Sequence, residues 1–132
     1  MYKIYTDGAY SHLRDVGGYA YIILKDNEVV CEGSGHYDHT TNNQMELMAV
    51  IKALSRIKES SHITIISDSQ YVINIASHKA KINKNKGLWD IYFRYSQKHT
   101  IDYIHVKGHS GDKYNEWCDR LATQDGNVSN DK

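Results

Sequence analysis

The order of strand-like and helix-like segments limits the folds open to this chain more than any other feature. Three segments rich in Tyr, Ile and Val open it, YKIYTD, GYAYIILK and EVVCEGSG, and the polar link KDNE predicts a hairpin between the second and third. Apolar residues at helical spacing then predict a helix from Asn43 to about Lys58, followed by the short apolar strand HITIISD. Because a strand, a helix and a strand imply a parallel pair, ITIIS should lie beside one of the first three strands.

The second half of the chain continues this alternation. SQYVINIASH, GLWDIYFRYSQKH and YNEWCDRLATQ are predicted helices, and IDYIHV is a predicted strand between the last two. The order βββαβααβα indicates an α/β fold, a five-stranded mixed sheet of three antiparallel strands followed by parallel strands and flanked by helices. We expect one domain over residues 1–124 and a polar tail over residues 125–132.

Composition and charge limit the possible partners and the compartment. Lys plus Arg and Asp plus Glu both number 16, so any nucleic acid must be held by local patches rather than by a global basic field. The two cysteines form no CxxC pair, which argues against a zinc or redox site and favours a reducing compartment. There is no signal-like start and no apolar run of about 18 residues, so we expect a cytoplasmic protein without a membrane span.

Two aspartates follow predicted neighbouring strands. Asp7 is predicted at the end of YKIYT and Asp68 at the end of ITIIS. If these strands are neighbours, both carboxylates face the crevice at the carboxyl ends of the parallel strands. Close carboxylates repel, and such a pair shares a proton or binds a metal. Each also has a local explanation, Asp7 as a turn residue in TDGAY and Asp68 as the N-cap of the helix SQYVI.

Glu46 lies in a predicted first helical turn and has two interpretations. It completes a capping pair if Asn43 is the N-cap, although Thr41 with Gln44 is an equally good alternative. On a helical wheel it lies near Val50, at the border of the apolar arc, and therefore points along the sheet surface. The sequence leaves both roles open.

The last segment contains three further polar candidates. The glycine-bearing loop KGHSGDK carries His109, and Asp119 follows inside a predicted helix, with Asn115 one turn earlier on the same face. Taken alone, a loop histidine is usually solvated and a helix aspartate is usually a surface charge. A functional role for these residues can therefore be inferred only when they are considered together with the other acids.

The combination resembles a known family. TDGAY, TTNNQMEL, SDSQYV and VKGHSGDKYNEWCDRLA, in this order, are similar to the motifs of the type 1 ribonuclease H family, in particular the bacterial ribonuclease HI group, from about Tyr2 to Thr123. The resemblance implies a ribonuclease H-like fold and an endoribonuclease that cuts the RNA strand of RNA/DNA hybrids, leaving 5′-phosphate and 3′-hydroxyl ends. The acid order Asp, Glu, Asp, Asp differs from that of related integrases and transposases, whose third acid is typically a late glutamate.

The resemblance also implies a metal site. Four acidic residues match the carboxylates that hold two Mg²⁺ ions around the scissile phosphate, with Mn²⁺ as a substitute: Asp7, Glu46, Asp68 and Asp119. His109 matches the loop histidine that shuttles a proton or assists product release. We expect it to modulate the rate rather than to decide it.

Substrate contacts are implied in the same way. The positions matching family contacts to the duplex groove and backbone are Thr41, Asn42, Asn43, Ser69, Gln70 and Asn115. In the family, the glutamate matched by Glu46 also accepts a hydrogen bond from a 2′-hydroxyl next to the cut. The expected partner is therefore an RNA/DNA hybrid duplex, recognised through its 2′-hydroxyls and its shape.

Two departures from the family pattern leave alternatives open. Leu13 stands where the family often has Asn, and HKAKINKNKG replaces the basic helix, or handle, of many members. The lysines of this loop contact phosphates or form a solvated surface, and the sequence does not choose between these. We expect a monomeric, free-standing enzyme, with a partner domain that supplies binding as the alternative. The competing functions are a catalytically silent hybrid-binding module and a nuclease acting on double-stranded RNA.

Overall fold

The computed structural model describes residues 1–108 and 112–126, so His109 and residues 127–132 lie outside the described residues. Its elements follow the predicted order βββαβααβα. Their bounds are β1 (Tyr2–Ser11), β2 (Val16–Lys25), β3 (Glu28–Asp38), α1 (Asn42–Leu54), β4 (His62–Ser67), α2 (Gln70–Ala76), α3 (Lys86–Ser96), β5 (Thr100–His105) and α4 (Lys113–Gly126). None of the helices in the described part of the chain has the length and apolar character needed to cross a bilayer.

The five strands form one sheet in the order β3-β2-β1-β4-β5. β1, β2 and β3 are antiparallel, whereas β4 is parallel to both β1 and β5. Asp26 and Asn27, with φ of 51° and 70°, connect β2 to β3 as a two-residue turn, for which Asp and Asn suit the positive φ. The predicted mixed sheet, its hairpin and the place of ITIIS beside a strand of the first group are confirmed.

Helices cover both faces of the sheet. Ile4 of β1 packs among apolar residues of α1, α2 and α3, whereas the next residue, Tyr5, packs with Cys118 and Ala122 of α4. Successive strand residues point to opposite faces, so β1 lies at the centre of two separate cores. Both faces of β1 are therefore covered, and a ligand has access to this strand at its end rather than from its faces.

β1 is longer than predicted, and this changes the place of Asp7. The strand continues to Ser11 because its second half pairs with the first half of β2, so Asp7 lies inside β1 rather than at its end. The parallel pairing with β4, however, stops at Thr6 and Ser67. Asp7 and Asp68 are each the first residue beyond this last parallel pair, and the interpretation of Asp7 as a turn residue is wrong.

α1 is shorter than predicted. It begins at Asn42, and the N-cap is Thr41, whose Oγ1 accepts a hydrogen bond of 3.1 Å from the backbone N–H of Gln44. The alternative with Asn43 as N-cap is therefore wrong. The helix ends at Leu54 because backbone amides after Ser55 bond to carbonyls three residues back, which tightens the last turn.

α4 extends through Gly126, two residues into the segment predicted as a polar tail. Near its end, Asp125 accepts a hydrogen bond of 2.6 Å from the Ser34 hydroxyl, and Nδ1 of His36 lies 3.2 Å from the other carboxylate oxygen of Asp125. Both partners belong to β3. These contacts hold the last turn of α4 against the sheet.

Candidate active site

Three carboxylates from distant parts of the sequence meet beyond the parallel pairing of β1 and β4. Asp7, Glu46 and Asp68 each contribute an oxygen atom, and these atoms lie within 4.8 Å of one another. Asp7 and Glu46 are only 4% and 6% exposed, and Asp68 is partly exposed. Three buried or partly buried acids at this distance need protons or a cation between them.

Gly8 allows Glu46 to reach this position. A Cβ at Gly8 would lie 2.5 Å from the backbone nitrogen of Glu46 and 2.7 Å from the carbonyl carbon of Met45, so the first turn of α1 lies directly against β1. The Gly8 backbone N–H, which donates to Asp7 Oδ1 at 2.9 Å, also lowers the pKa of the nearby Glu46 carboxylate. Glu46 thus points toward Asp7 and Asp68, and the Thr41 cap leaves it no capping role.

The acids change one another's protonation. Burial, together with the nearby Asp68 and Asp119 carboxylates, raises the pKa of Asp7 to about 8, against a 2.9 Å hydrogen bond from the Gly8 N–H that lowers it. Burial also raises the pKa of Glu46 well above its ordinary 4.5, with Asp7 and Asp68 adding to the effect. Desolvation raises the pKa of Asp68 as well. The metal-free cluster therefore retains protons at neutral pH.

α4 brings a fourth carboxylate from the other face of the sheet. Asp119 lies outside the group of three, yet its carboxylate is near enough to raise the pKa of Asp7. The helix is fixed nearby because the Cys118 thiol donates to the Tyr5 carbonyl at 3.3 Å. Asn115, one turn before Asp119, is 3% exposed. The structure thus brings all four predicted acids to one region.

Unpaired oxygen atoms in this region fit a bound cation. Glu46 Oε1, Asp68 Oδ1 and Asn115 Oδ1 are buried and have no hydrogen-bond partner among the described residues. A buried acceptor without a partner costs about 1–3 kcal/mol, which a ligand at the site would offset. The donors are all oxygen atoms, which hard cations such as Mg²⁺ prefer. The residues present therefore fit a divalent metal.

Comparison with known proteins decides the family. The sequence model of the RNase H family matches residues 1–126. The chain belongs to the RNase H family. The resemblance inferred from the four motifs is confirmed, and the protein is a ribonuclease H enzyme.

Curated relatives of this RNase H match over most of their length. The ribonuclease H of Thermoanaerobacter sp. (strain X514) is 39% identical, over 92% of this chain and 87% of the relative. The ribonuclease HI of Synechocystis sp. (PCC 6803) is also 39% identical, over 90% of this chain and 83% of the relative. The ribonuclease H of Clostridium botulinum (strain Hall) is 40% identical, over 92% of each chain.

Solved structures share the fold of this RNase H. The N-terminal RNase H domain of a Mycobacterium tuberculosis protein, solved as a fusion with maltose-binding protein, has a TM-score of 0.85 at 20% identity, covering 98% of this chain and 95% of that one. LC11-RNase H1, solved in complex with an RNA/DNA hybrid, has a TM-score of 0.84 at 18% identity, covering 98% and 99%. The predicted ribonuclease H-like fold is confirmed.

Four of the predicted substrate contacts of this RNase H are exposed around the acids. Thr41, Asn42 and Asn43 form the start of α1, three to five residues before Glu46. Gln70 is the first residue of α2 and is also exposed. All four side chains are therefore open to solvent, at the starts of the two helices that lie next to Glu46 and Asp68 in the sequence.

The other predicted contacts are buried. The Ser69 hydroxyl accepts a 3.2 Å hydrogen bond from the backbone N–H of Val72 and is the N-cap of α2. The interpretation of Asp68 as that cap is therefore wrong, which leaves its carboxylate available to the acidic cluster. Asn115 faces the protein interior from α4.

Sequence reasoning missed the two glycines of this RNase H that make room for the acids. Gly8 admits the first turn of α1, and a Cβ at Gly108 would lie 3.0 Å from Asp68 Oδ2. A glycine inside a strand pattern often marks the close approach of another backbone, so TDGAY contained a usable signal. The predicted His109 follows Gly108 directly and lies outside the described residues.

Proposed function

We propose that this RNase H hydrolyses the RNA strand of RNA/DNA hybrids with two divalent cations, leaving 5′-phosphate and 3′-hydroxyl ends. The observation that carries the proposal is the convergence of Asp7, Glu46 and Asp68 within 4.8 Å, with Asp119 beside them. The neighbour LC11-RNase H1, of the same fold, was solved with an RNA/DNA hybrid. This supports the hybrid as the substrate class.

The four carboxylates would hold the cations, Mg²⁺ or, as a substitute, Mn²⁺. When bound, two such ions activate a water molecule on one side of the scissile phosphate and stabilise the leaving 3′ oxygen on the other. The carboxylates would bind and orient the cations, and no side chain serves as a nucleophile.

Metal binding should depend on pH. Because the pKa of Asp7 is about 8 in the metal-free protein, metal binding displaces protons and should tighten as pH rises toward 8.

Strand choice rests on residues beside the acids. The hydroxyl and amide groups of Thr41, Asn42, Asn43 and Gln70 suit contacts with sugar hydroxyls, base edges and phosphates across a shallow minor groove. Glu46 lies beside these groups, so the same carboxylate can bind a cation and accept a hydrogen bond from a 2′-hydroxyl. Ser69 precedes Gln70 in the chain and is buried, as is Asn115, so these two predicted contacts would act from positions less open to solvent.

A duplex panel tests the proposal. Labelled RNA/DNA, RNA/RNA and DNA/DNA duplexes are incubated with the enzyme in Mg²⁺, Mn²⁺ or EDTA, and product ends are analysed on denaturing gels. We expect the hybrid alone to be cut, only with metal, and only in its RNA strand. Leu13 is 84% exposed on the β1–β2 connection, where the family often has Asn, so equal cutting of RNA/RNA would favour the double-stranded RNA alternative.

Binding of the hybrid without cutting in either metal would instead favour the silent-module alternative. Cleavage that persists in EDTA would contradict the assignment of the four carboxylates as metal ligands.

A substitution of the loop histidine tests its supporting role. His109→Ala should slow turnover by about 10²-fold, as expected when a positioned proton-transfer group is lost, and should leave measurable activity. The measurement is kcat on the hybrid across pH 6–9. Complete loss of activity would mean that His109 is indispensable, and an unchanged kcat would remove it from the mechanism.

A further inference from the structure

Three short hydrogen bonds join the turn between β1 and β2 to the connection between β3 and α1. The Asp15 carboxylate accepts one of 2.7 Å from the Tyr10 hydroxyl through Oδ1, and one of 2.7 Å from His39 Nδ1 through Oδ2. The His39 backbone N–H also donates to the Asp15 carbonyl at 2.7 Å. Asp15 therefore holds the two segments together through its side chain and its backbone. We call Tyr10, Asp15 and His39 the Asp15 clamp.

The clamp lies where β2 and β3 stop pairing. Their pairing ends at Val16 and Asp38, and Asp15 and His39 are the residues directly beyond this pair. Both have left-handed backbone, with φ of 51° and 56°, a conformation that Asp and His adopt more readily than most residues. Such backbone persists where surrounding contacts hold it, and here the hydrogen bonds of the clamp supply those contacts.

The clamp is connected to the start of α1 by a tightly packed segment. His39 precedes the N-cap residue Thr41 by two positions, and Thr40 between them is only 7% exposed. A Cβ at Gly17 would lie 2.5 Å from Met45 Cγ and 2.7 Å from Thr40 Cγ2, so β2 lies directly against this segment. The segment has little room to absorb a shift, and a movement of the clamp therefore reaches the first turn of α1.

The clamp contains a pair of opposite charges whose strength depends on pH. The hydrogen bond to Asp15 and the charge of that carboxylate raise the pKa of His39, and Asp38 adds to the effect. Hydrogen bonds from Tyr10 and His39 lower the pKa of Asp15. The pair is therefore an ion pair below the raised pKa of His39, and above it a weaker hydrogen bond from a neutral imidazole to a carboxylate.

We propose that Asp15 and His39 are positioning residues for substrate binding, which hold the β3–α1 connection so that the hydroxyl and amide groups at the start of α1 face the duplex in one arrangement. The inference rests on the proposed function, which assigns contact with the RNA/DNA hybrid to those groups. Neither side chain of the pair needs to touch the duplex. An ordered binding surface loses less entropy when its ligand binds, so the pair should act on substrate affinity rather than on the chemical step.

Asparagine substitutions test the pair. Asp15→Asn and His39→Asn each remove one charge, and asparagine tolerates left-handed backbone, so the lost pair rather than new strain is measured. The two side chains are 86% (His39) and 46% (Asp15) exposed, which limits the expected effect. We expect KM for labelled RNA/DNA hybrid at pH 6.5 in Mg²⁺ to rise about two- to fivefold, with kcat within about 1.5-fold of the parent.

A second histidine–aspartate pair provides the matched control. His62 Nε2 lies 2.7 Å from Asp102 Oδ2, and His62 is the first residue of β4, at the end of the strand away from Asp68. Asp102→Asn breaks a pair of the same kind and should leave KM and kcat at parental values. Urea unfolding of each variant accompanies the kinetics. A lower stability of the clamp variants with parental KM would show that the clamp serves stability alone and would overturn the positioning role.

A rescue variant and the pH profile test the charge of the pair. In His39→Arg the guanidinium stays charged at all working pH values and matches a carboxylate, so KM should stay near the parental value at pH 6.5. The ratio of KM for Asp15→Asn to KM for the parent should fall between pH 6 and pH 9, because the parent loses its ion pair. This ratio cancels the titration of the acidic cluster, which both proteins share. A raised ratio that is constant with pH would overturn the role of His39.

The outcomes separate this inference from the proposed function. If the parent cuts the hybrid while Asp15→Asn and His39→Asn keep parental KM, the clamp has no positioning role and the proposed function stands. If the parent cuts no duplex in either metal, the proposed function fails and this inference fails with it.

Discussion

Replacing Asp7 with asparagine should abolish cleavage of the RNA strand while leaving the fold intact. Asp7 lies within 4.8 Å of Glu46 and Asp68, measured between carboxylate oxygen atoms, and the Asp119 carboxylate raises its pKa, so Asp7 is close to the three other acids. An amide of the same shape preserves packing but supplies no negative charge for the cations. We expect hybrid cleavage in Mg²⁺ to fall to background, measured with enzyme in excess over labelled substrate. Activity near the parent level would show that the cations are bound elsewhere.

The same substitution should stabilise the metal-free protein at high pH. The pKa of Asp7 is about 8 in the folded state and close to its ordinary 3.8 in the unfolded chain. Between these values the folded state holds a proton that the unfolded chain has lost, so the free energy of unfolding falls as pH rises from about 4 to 8. The amide of the Asp7→Asn variant does not titrate in this range. The free energy of unfolding of the variant should therefore exceed that of the parent by about 3 kcal/mol at pH 8.

Urea unfolding in EDTA at pH 5 and pH 8 measures this difference. The control is Asp26→Asn, an equal charge change at a turn residue whose side chain is 78% exposed. It should leave activity and the pH dependence of stability unchanged. A difference between Asp7→Asn and the parent that is the same at both pH values would contradict the raised pKa of Asp7.

Adding one methyl group at Gly8 should strongly reduce activity by displacing a carboxylate. The added Cβ would lie 2.5 and 2.7 Å from backbone atoms of Glu46 and Met45, and backbone cannot swing aside as a flexible side chain can. The first turn of α1 must therefore move away from β1 and carry Glu46 with it. For Gly8→Ala we expect stability to fall by about 1–3 kcal/mol and cleavage by about 10²-fold or more.

Gly87→Ala is the matched control because a Cβ at Gly87, in α3, meets no atom within 4 Å. Alanine there should leave activity unchanged and stabilise the protein by about 0.5–1 kcal/mol. Activity of Gly8→Ala is compared after its fold is checked by circular dichroism and urea unfolding. A folded Gly8→Ala variant with parental activity would show that the position of Glu46 does not depend on Gly8.

The sequence predicts the order of elements well because each element carries its own local pattern. Hydrophobic spacing in α1 and the Asp-Asn pair between β2 and β3 arise from short-range physics and need no knowledge of neighbours. The ends of elements are less predictable. β1 continues past Asp7 only because β2 supplies hydrogen-bond partners, and no pattern within β1 itself requires those partners.

The same residue types serve as helix caps and as acids of a functional site, so the sequence alone does not tell which role such a residue has. Asp68 and Glu46 both have credible local roles in the sequence. Tertiary structure removes those roles, since Ser69 caps α2 and Thr41 caps α1, and both carboxylates are left with buried oxygens that lack partners. A residue freed from capping in this way is available to bind a ligand.

The sequence by itself determined the fold class and the family and predicted which four acids form the site, because these inferences depend on residue types in a fixed order. Only the tertiary structure decided that Asp7, Glu46 and Asp68 lie within 4.8 Å and that Gly8 makes the space for this. It also decided that Lys81 and Lys84 line a cleft that has no carboxylate among its described residues. The physical reason is that distances and burial arise from the packing of elements remote in sequence, and no local pattern records them.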